Sequence, residues 1–472
     1  MNLLTNPARD GGARGTGLPN LSTKPPRIPL MKSHGSITFI ATTAALLAAL
    51  SSAARAGDAI VVSTVEELKV ALATADAGTK VVVRSGTYHV TETLHVPDGI
   101  TLVGESTMLY TDGRPVGLDP ATATWIKATT AFAGDVLSLG DDVVVRRLGV
   151  EAAPGVAPNY GNVIGARSRK AGDWVSVTVA ETQLVNPNPA GVSFRAPIGR
   201  SFLFITQDPE QGNPPAPHVA STVEAKIRNC VVQAPAAGSA VFAVNFASDS
   251  RIEVVLDNNN FQGNLDASGG TSRPALVSNS STSIRSRHTV WAHPNPGAAS
   301  PNAIGFLVVG GSTAPVGTTA GGISNTTHIN STDDRIEGFP IAVRAIAGRR
   351  YNPGSGMCHN NAIVLRLSDT VIQTPDTPTA ADFNIVAAQS DLSGGSSEYV
   401  PGDGNTLRFE ASGLTASGPR ANVFADVRGP VNEANFGSDN ALEIAGNPGR
   451  FTQVNSGIEP PPAPELFEST SD

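Results

Sequence analysis

Val65-Glu66-Glu67-Leu68-Lys69-Val70-Ala71-Leu72, then Lys80-Val81-Val82-Val83-Arg84-Ser85-Gly86-Thr87-Tyr88, then Leu94-His95-Val96-Pro97-Asp98-Gly99-Ile100-Thr101-Leu102-Val103-Gly104: this stretch decides the fold. The first segment has the spacing of an amphipathic helix. Ser63-x-x-Glu66 and Thr64-x-x-Glu67 are overlapping capping boxes that mark its start. The other segments are very short strands, each stopped by turn residues such as Ser85-Gly86 or Asp98-Gly99. A helix followed by short, turn-stopped strands is how a right-handed parallel β-helix opens. Such a stack leaves an end with unpaired backbone and bare core, and an amphipathic helix from Val65 to about Ala75 can plug it. The expected class is all-β: a single-stranded right-handed parallel β-helix with an N-terminal capping α-helix.

The pattern continues outward from this opening. Two apolar residues separated by one position, then a third after four more, recur at Val143/Val145/Val150, Val177/Val179/Leu184, Ala225/Ile227/Val232, Val254/Leu256/Phe261, Leu365/Leu367/Ile372 and Leu407/Phe409/Leu414. The first two alternate as a half-buried strand does, and the third starts the next strand inside. The gap holds turn formers such as Asp257-Asn258-Asn259-Asn260, Arg228-Asn229-Cys230 and Ser368-Asp369-Thr370, which tolerate sharp bends. The three asparagines read as turn or ladder residues. Irregular spacing between units fits stacked coils with loops of variable length and not a strict repeat. The longest loops expected are Pro187 to Pro217 and Trp291 to Asn330. A β-sandwich also gives many short strands, but it lacks the helix-then-strand opening.

The run V-V-V-R-S-G-T-Y-x-V-x-x-T-L-x-V-P-D-G-I-T-L-V-G-E, from Val81 to Glu105, resembles the N-terminal coils of the pectin-lyase-like superfamily. That superfamily includes pectate lyases, polygalacturonases, alginate-modifying enzymes and phage tailspikes. The close match covers about 45 residues, the rest matches only in rhythm, and the resemblance implies a fold and a carbohydrate-leaning partner.

Composition agrees with a long, thin core. The 472 residues include 48 Gly and 35 Pro, and 16% are charged. Met31-Lys32-Ser33-His34, the apolar run Ile37 to Leu50 and the small-x-small site Ala54-Arg55-Ala56 read as a secretory signal peptide over 31–56. An apolar run of about 14 residues is too short for a bilayer span, and none other is long enough. Residues 1–30 read as a misassigned start or a disordered extension, 57–457 as the β-helix domain, and 458–472, with Pro460-Pro461-Pro462, as a Pro-rich disordered tail. The expected location is secreted or periplasmic, as a monomer. Loss of residues 1–56 removes six basic residues and one acid, leaving 27 basic and 40 acidic and a net charge of −13. That balance argues against a nucleic-acid partner. An acidic polysaccharide or cell-surface glycan could still bind through a local basic patch or calcium; no other cofactor is expected. Cys230 and Cys358 lie 128 residues apart. That is about four coils or roughly 19 Å, too far for a disulfide, so two separate thiols are expected.

Three spots carry candidate chemistry. Arg195-Ala196-Pro197-Ile198-Gly199-Arg200 is similar to the R-x-P-x-x-R motif of pectate lyases. That resemblance implies a role for Arg195, and with it Arg200, in taking the proton beside a uronate carboxyl. An Arg acts as a base only if its pKa is strongly lowered, and the family's Trp-x-Asp-His segment is missing upstream. Asp333-Asp334-Arg335, with His328 nearby, resembles the paired acids of polygalacturonases, where one carboxyl serves as acid and one as base. Neighbouring strand residues point to opposite faces, so Asp333 and Asp334 could share a substrate only from a turn, where capping is their commoner work. The family's G-H-G and R-I-K segments are absent. Arg349-Arg350-Tyr351 joins a guanidinium fork for a sugar carboxylate to a ring that can stack on a pyranose. His288 and His293 flank Trp291 without a carboxylate or Cys at ligand spacing, so no metal site is expected. The functional expectation is therefore an exported β-helix protein that binds, and in a lyase- or hydrolase-like case cleaves, an extracellular polysaccharide. The alternative is a non-catalytic surface, adhesion or envelope-structural protein.

Overall fold

The computed structural model describes residues 59–453, apart from 132–133, 156–160, 189–198, 208–219, 237, 273–275, 300–302, 314–320, 351–357, 376–383, 391–402, 418–421, 427–440 and 447–449. The described strands form three long sheets. Sheet A has 12 strands, sheet B 10 and sheet C 11, and every neighbouring pair within them is parallel and separated in sequence by a whole coil. One full coil contributes Arg251–Asp257 to A, Asn260–Gln262 to B and Asn264–Ser272 to C. This is the right-handed parallel β-helix that the opening stretch predicts.

Stacking in register puts like on like. Val145, Val179, Ile227 and Leu256 are successive register partners in sheet A, and each is buried. The column then runs through Ser286 and Ser331 before returning to Leu367. Those two serines hid two coils from the apolar pattern, because a polar residue stands at the second inward position. The last unit also needs a correction. Phe409 aligns with Leu365, and it is Ala411 that continues the Leu367 column and Ala416 that faces Ile372. The reading was two residues out, which a period-2 strand conceals: Phe409 is still fully buried.

Most described turns into and out of sheet A share one form. A residue in the left-handed conformation, φ between +49° and +65°, is followed by an inward side chain. Between A and B the left-handed residues include Asn229, Asn258, His288, Asp333 and Asp369, and the inward ones are Thr182, Cys230, Asn259, Thr289, Asp334 and Thr370. Asn259 Oδ1 accepts the Cys230 N–H at 2.9 Å, the ladder role expected for it. Between C and A the inward residues are Ser221, Ser250, Ser280, Asn325, Asn361 and Asn405. The backbone N–H of Asn325 donates to Asn361 Oδ1 at 3.0 Å and that of Asn361 to Asn405 Oδ1 at 3.1 Å, so each buried amide satisfies the next coil. Gly270, Gly311 and Gly348 stack opposite. A Cβ at any of them would land on the Asn325, Asn361 or Asn405 side chain.

Helix α1, Val65–Thr74, buries Leu68, Ala71 and Leu72 in the same core as the first strands. Thr64 Oγ1 accepts the Glu67 N–H at 3.1 Å and Glu67 Oε2 accepts the Ser63 N–H at 2.7 Å. Of the two overlapping boxes, the Thr64 one supplies the cap, with Glu67 reaching past Thr64 to the Ser63 N–H. A hairpin absent from the sequence reading, Met108–Thr111 and Arg114–Leu118, turns at Asp112-Gly113, both with positive φ. It lies along sheet B, where Gln183 Oε1 accepts the Leu118 N–H at 2.9 Å and Asn258 donates to the Gly113 carbonyl at 2.9 Å. Cys230 and Cys358 are both buried and unbridged. Burial pushes the Cys230 thiol up to about 12.

Candidate functional site on the outer face of sheet C

The two longest expected loops each carry a strand. Pro187 to Pro217 contains Arg200–Ile205, and Trp291 to Asn330 contains Ile304–Thr313, both in sheet C. The pattern missed them because Arg-Ser-Phe-Leu-Phe-Ile is buried on both faces and shows no alternation. Its inward residues Phe202 and Phe204 join the main core, where Phe202, Phe261, Trp291 and Phe306 follow one another with ring centroids 6.0, 5.1 and 5.1 Å apart. Its outward residues Leu203 and Ile205 belong to a second apolar cluster with Phe242, Val244 and Phe246. Sheet C is therefore coated on its outside as well.

Charges are built into that coating. Asp135 is buried, takes a two-pronged ion pair from Arg167 (Nη2 to Oδ1 2.8 Å) and accepts a hydrogen bond from Asn162 Nδ2 at 3.0 Å. Gly165 lies between them, and a Cβ there would overlap both carboxylate and guanidinium. Arg200, 6% exposed, donates its backbone N–H to Asn162 Oδ1 at 3.3 Å. Its guanidinium carbon stands 3.9 Å from the Phe242 ring centroid. Phe242 is the register partner of Leu203 on one side and Asp266 on the other, and Asn264 donates to Asp266 at 2.9 Å. Leu307 and then Arg344 continue the same column. A charged, aromatic row thus crosses the coils at about 4.8 Å per step.

The predicted residues fall as follows. Arg195 and Tyr351 lie outside the described residues. Arg349 and Arg350 end the sheet C strand Ile341–Arg350, and Arg349 is in register with Ser312 and Gln389. Arg200 begins a strand of that same sheet four coils earlier. Asp333 and Asp334 are parted by the turn. Asp333 occupies the left-handed position and is exposed, while Asp334 is fully buried in the inward column. The two carboxyls do not face one substrate, because the residue after a left-handed corner turns into the core. Asp333 Oδ2 lies 3.5 Å from His288 Nε2, and His288 Nδ1 lies 3.8 Å from Asp257, a grouping the sequence spacing gave no sign of. His328 stands outward on sheet A, beside Ser283 and Val364 and away from Asp333. Burial, then the nearby Arg366, hold it below the usual imidazole range. His293 packs edge-on against Phe339 at 5.3 Å, also with its pKa lowered by burial.

Sheet A's outer face carries ion pairs that span coils. Arg287 meets Asp257 at 2.8 and 3.0 Å, and Arg366 meets Glu410 at 2.6 Å. The Arg287 hydrogen bond holds Asp257 below the usual carboxylate range, and Arg366 does the same for Glu410. Among the described residues, no three His, Cys, Asp or Glu side chains come together as metal ligands, and no helix is long and apolar enough to cross a membrane.

No protein-family model matches the chain, and no curated protein sequence matches it. Solved structures with a similar arrangement of coils include the Dettilon tailspike protein, 10% identical with a TM-score of 0.30 over 81% of this chain and 68% of that one. The PL6 family alginate lyase AlyGC is 11% identical, TM-score 0.25, over 84% and 71%. A mannuronic acid specific polysaccharide family 6 lyase from human gut microbiota is 10% identical, TM-score 0.25, over 84% and 91%. Likenesses this distant carry nothing about activity. The three in-register parallel sheets, the capping helix and the asparagine ladder make the chain, in architecture, a right-handed parallel β-helix.

Proposed function

We propose that this chain is an exported protein that binds an extracellular polysaccharide along the outer face of sheet C. The observation that carries the reading is Arg200 laid over Phe242 at 3.9 Å, in a row that holds Asp266 and Arg344. Phe242 is buried with its ring covered by Arg200, so it holds the guanidinium flat, and the guanidinium edge is the part that suits a polymer's carboxylates and hydroxyls. Repetition at one coil step matches a linear polymer better than a single small molecule. Arg349 and Arg350, at the end of another strand of sheet C, together with Tyr351 and Arg195, are the further residues proposed to contact the polymer.

Affinity electrophoresis of the full chain through gels containing pectate, alginate or a neutral glucan tests this. Retardation by an acidic polysaccharide, reduced at least tenfold in Arg200→Lys, is the expected result. Lysine keeps the charge and loses the planar stack. Equal mobility in all gels would sink the reading and favour a structural role in the envelope. A lyase would also release an unsaturated sugar that absorbs in the near ultraviolet. We expect no such product, with or without calcium, since the residues flanking Arg195 and Arg200 lack the partners that the pectate-lyase resemblance calls for. If product forms, Arg195→Lys is the variant that must abolish it.

A further inference from the structure

Asp334 occupies a place in the A-to-B turn where neighbouring coils carry a hydrogen-bond donor. Thr182 Oγ1 donates to the Ala180 carbonyl at 2.8 Å and Thr289 Oγ1 to that of Arg287 at 3.1 Å. Three other members reach back one coil. Cys230 Sγ donates to the Val179 carbonyl at 3.6 Å, Asn259 Nδ2 to that of Ile227 at 3.3 Å, and Thr370 Oγ1 to that of Ser331 at 3.3 Å. Val179, Ile227 and Ser331 belong to one register column, whose member behind Asp334 is Ser286. The carbonyl at the equivalent place behind Asp334 is that of Ser286.

A carboxylate has no hydrogen to give that carbonyl. Its oxygens already accept: Oδ1 from the Thr289 N–H at 2.8 Å and Oδ2 from the Ser331 hydroxyl at 2.7 Å. The side chain is fully buried, with Ser331 and Thr370 hydroxyls beside it. No ion pair reaches it from the described strands and turns packed around it, although His288 acts on its charge from the surface. Arg287 is tied to Asp257 and Arg335 to Glu337, while His288, Asp333 and Asp369 lie on the surface. A buried charge without a counterion is costly, whereas a neutral acid adds the missing donor.

We propose that Asp334, in mildly acidic solution, is held in the folded chain as a neutral carboxylic acid that donates to the coil behind it, making this turn a proton-operated latch between coils. Burial pushes its pKa up to about 6, against hydrogen bonds from the Ser286 and Ser331 hydroxyls and the Thr289 N–H and against the nearby His288. The folded state keeps the proton where the unfolded chain has lost it. Stability from this group is complete below the unfolded value of about pH 4, falls as the pH rises to about 6, and stays lost above. The folding equilibrium should weaken on the order of a hundredfold across that window.

The test compares unfolding of the full chain and Asp334→Asn at a series of pH values. Asparagine keeps the shape and supplies a permanent donor, as Asn259 does. The expected result is that wild type loses about a hundredfold in folding equilibrium between pH 4 and pH 7 relative to the variant, which is the more stable protein at neutral pH. Parallel profiles would overturn the proposal. Carboxyl carbon titration of wild type, labelled with carbon-13 at aspartate and assigned through the Arg335 amide, stands independently of how the variant folds. A midpoint near 6 supports the latch, and a midpoint in the ordinary carboxylate range overturns it.

Discussion

Gly311 shows how much one methyl group weighs in this molecule. Its missing Cβ is the space that the Asn361 amide fills, and Asn361 in turn holds the backbone of Asn325 and the side chain of Asn405. Gly311→Ala should push the amide out of the ladder, leaving buried donors and acceptors unmet at a cost of roughly 2–4 kcal/mol. A thermal melt that matches the parent would show the glycine column to be incidental. Asp334 belongs to the same scale: its latch rests on one hydrogen atom in a column of donors. The cysteines add a further test. Both are buried and unbridged, and the Cys230 thiol is pushed to about 12, so neither should react in the folded chain. A thiol reagent should count none before denaturation and two after, and reductant should leave the melting temperature unchanged. A reading of none in denaturant would reveal a disulfide and sink this placement.

At the scale of elements, α1 is short and stands only because its ends and one face are occupied. Thr64 and Glu67 close the first turn, and Leu68, Ala71 and Leu72 seal the opening of the core. Thr64→Ala should cost about 1 kcal/mol. The loss is local, so hydrogen exchange should quicken at the amides of Leu68 to Leu72 and stay slow at Asn361. Uniform quickening along the stack would mean that the cap and the coils unfold as one unit. The sheet C strand Arg200–Ile205 shows the opposite case, an element that is apolar on both faces. Its outer cluster with Phe242 makes a rigid bed on which Arg200 lies flat.

For the molecule as a whole, the sheets divide the work. Sheet A is a regular outer wall of ion pairs linking coil to coil, as Arg287–Asp257 and Arg366–Glu410 do. Such exposed pairs are worth little singly, and their regularity sets charge pattern more than stability. Sheet B is narrow and carries the hairpin that spans several coils. Sheet C bears both long insertions, the buried charges of Asp135, Arg200 and Asp266, and the half-buried Arg167. Irregular loops on a regular stack concentrate function on one side, which is why the polysaccharide reading is placed there.

The sequence by itself determined the class of fold, the capping helix, the inward residues of sheet A and the asparagine turns. All of these follow from near neighbours: helix caps, period-2 alternation and local turn chemistry. It could not show the coils at Ser286 and Ser331, whose inward positions are polar, nor the sheet C strands hidden inside apparent loops. Nor could it separate Asp333 from Asp334, or bring Arg200 to Phe242 across 42 positions. Those relations depend on how far each coil travels before it returns. That distance is set by insertions of unequal length, and only the in-register stack of parallel strands reveals which residues come to lie one above another.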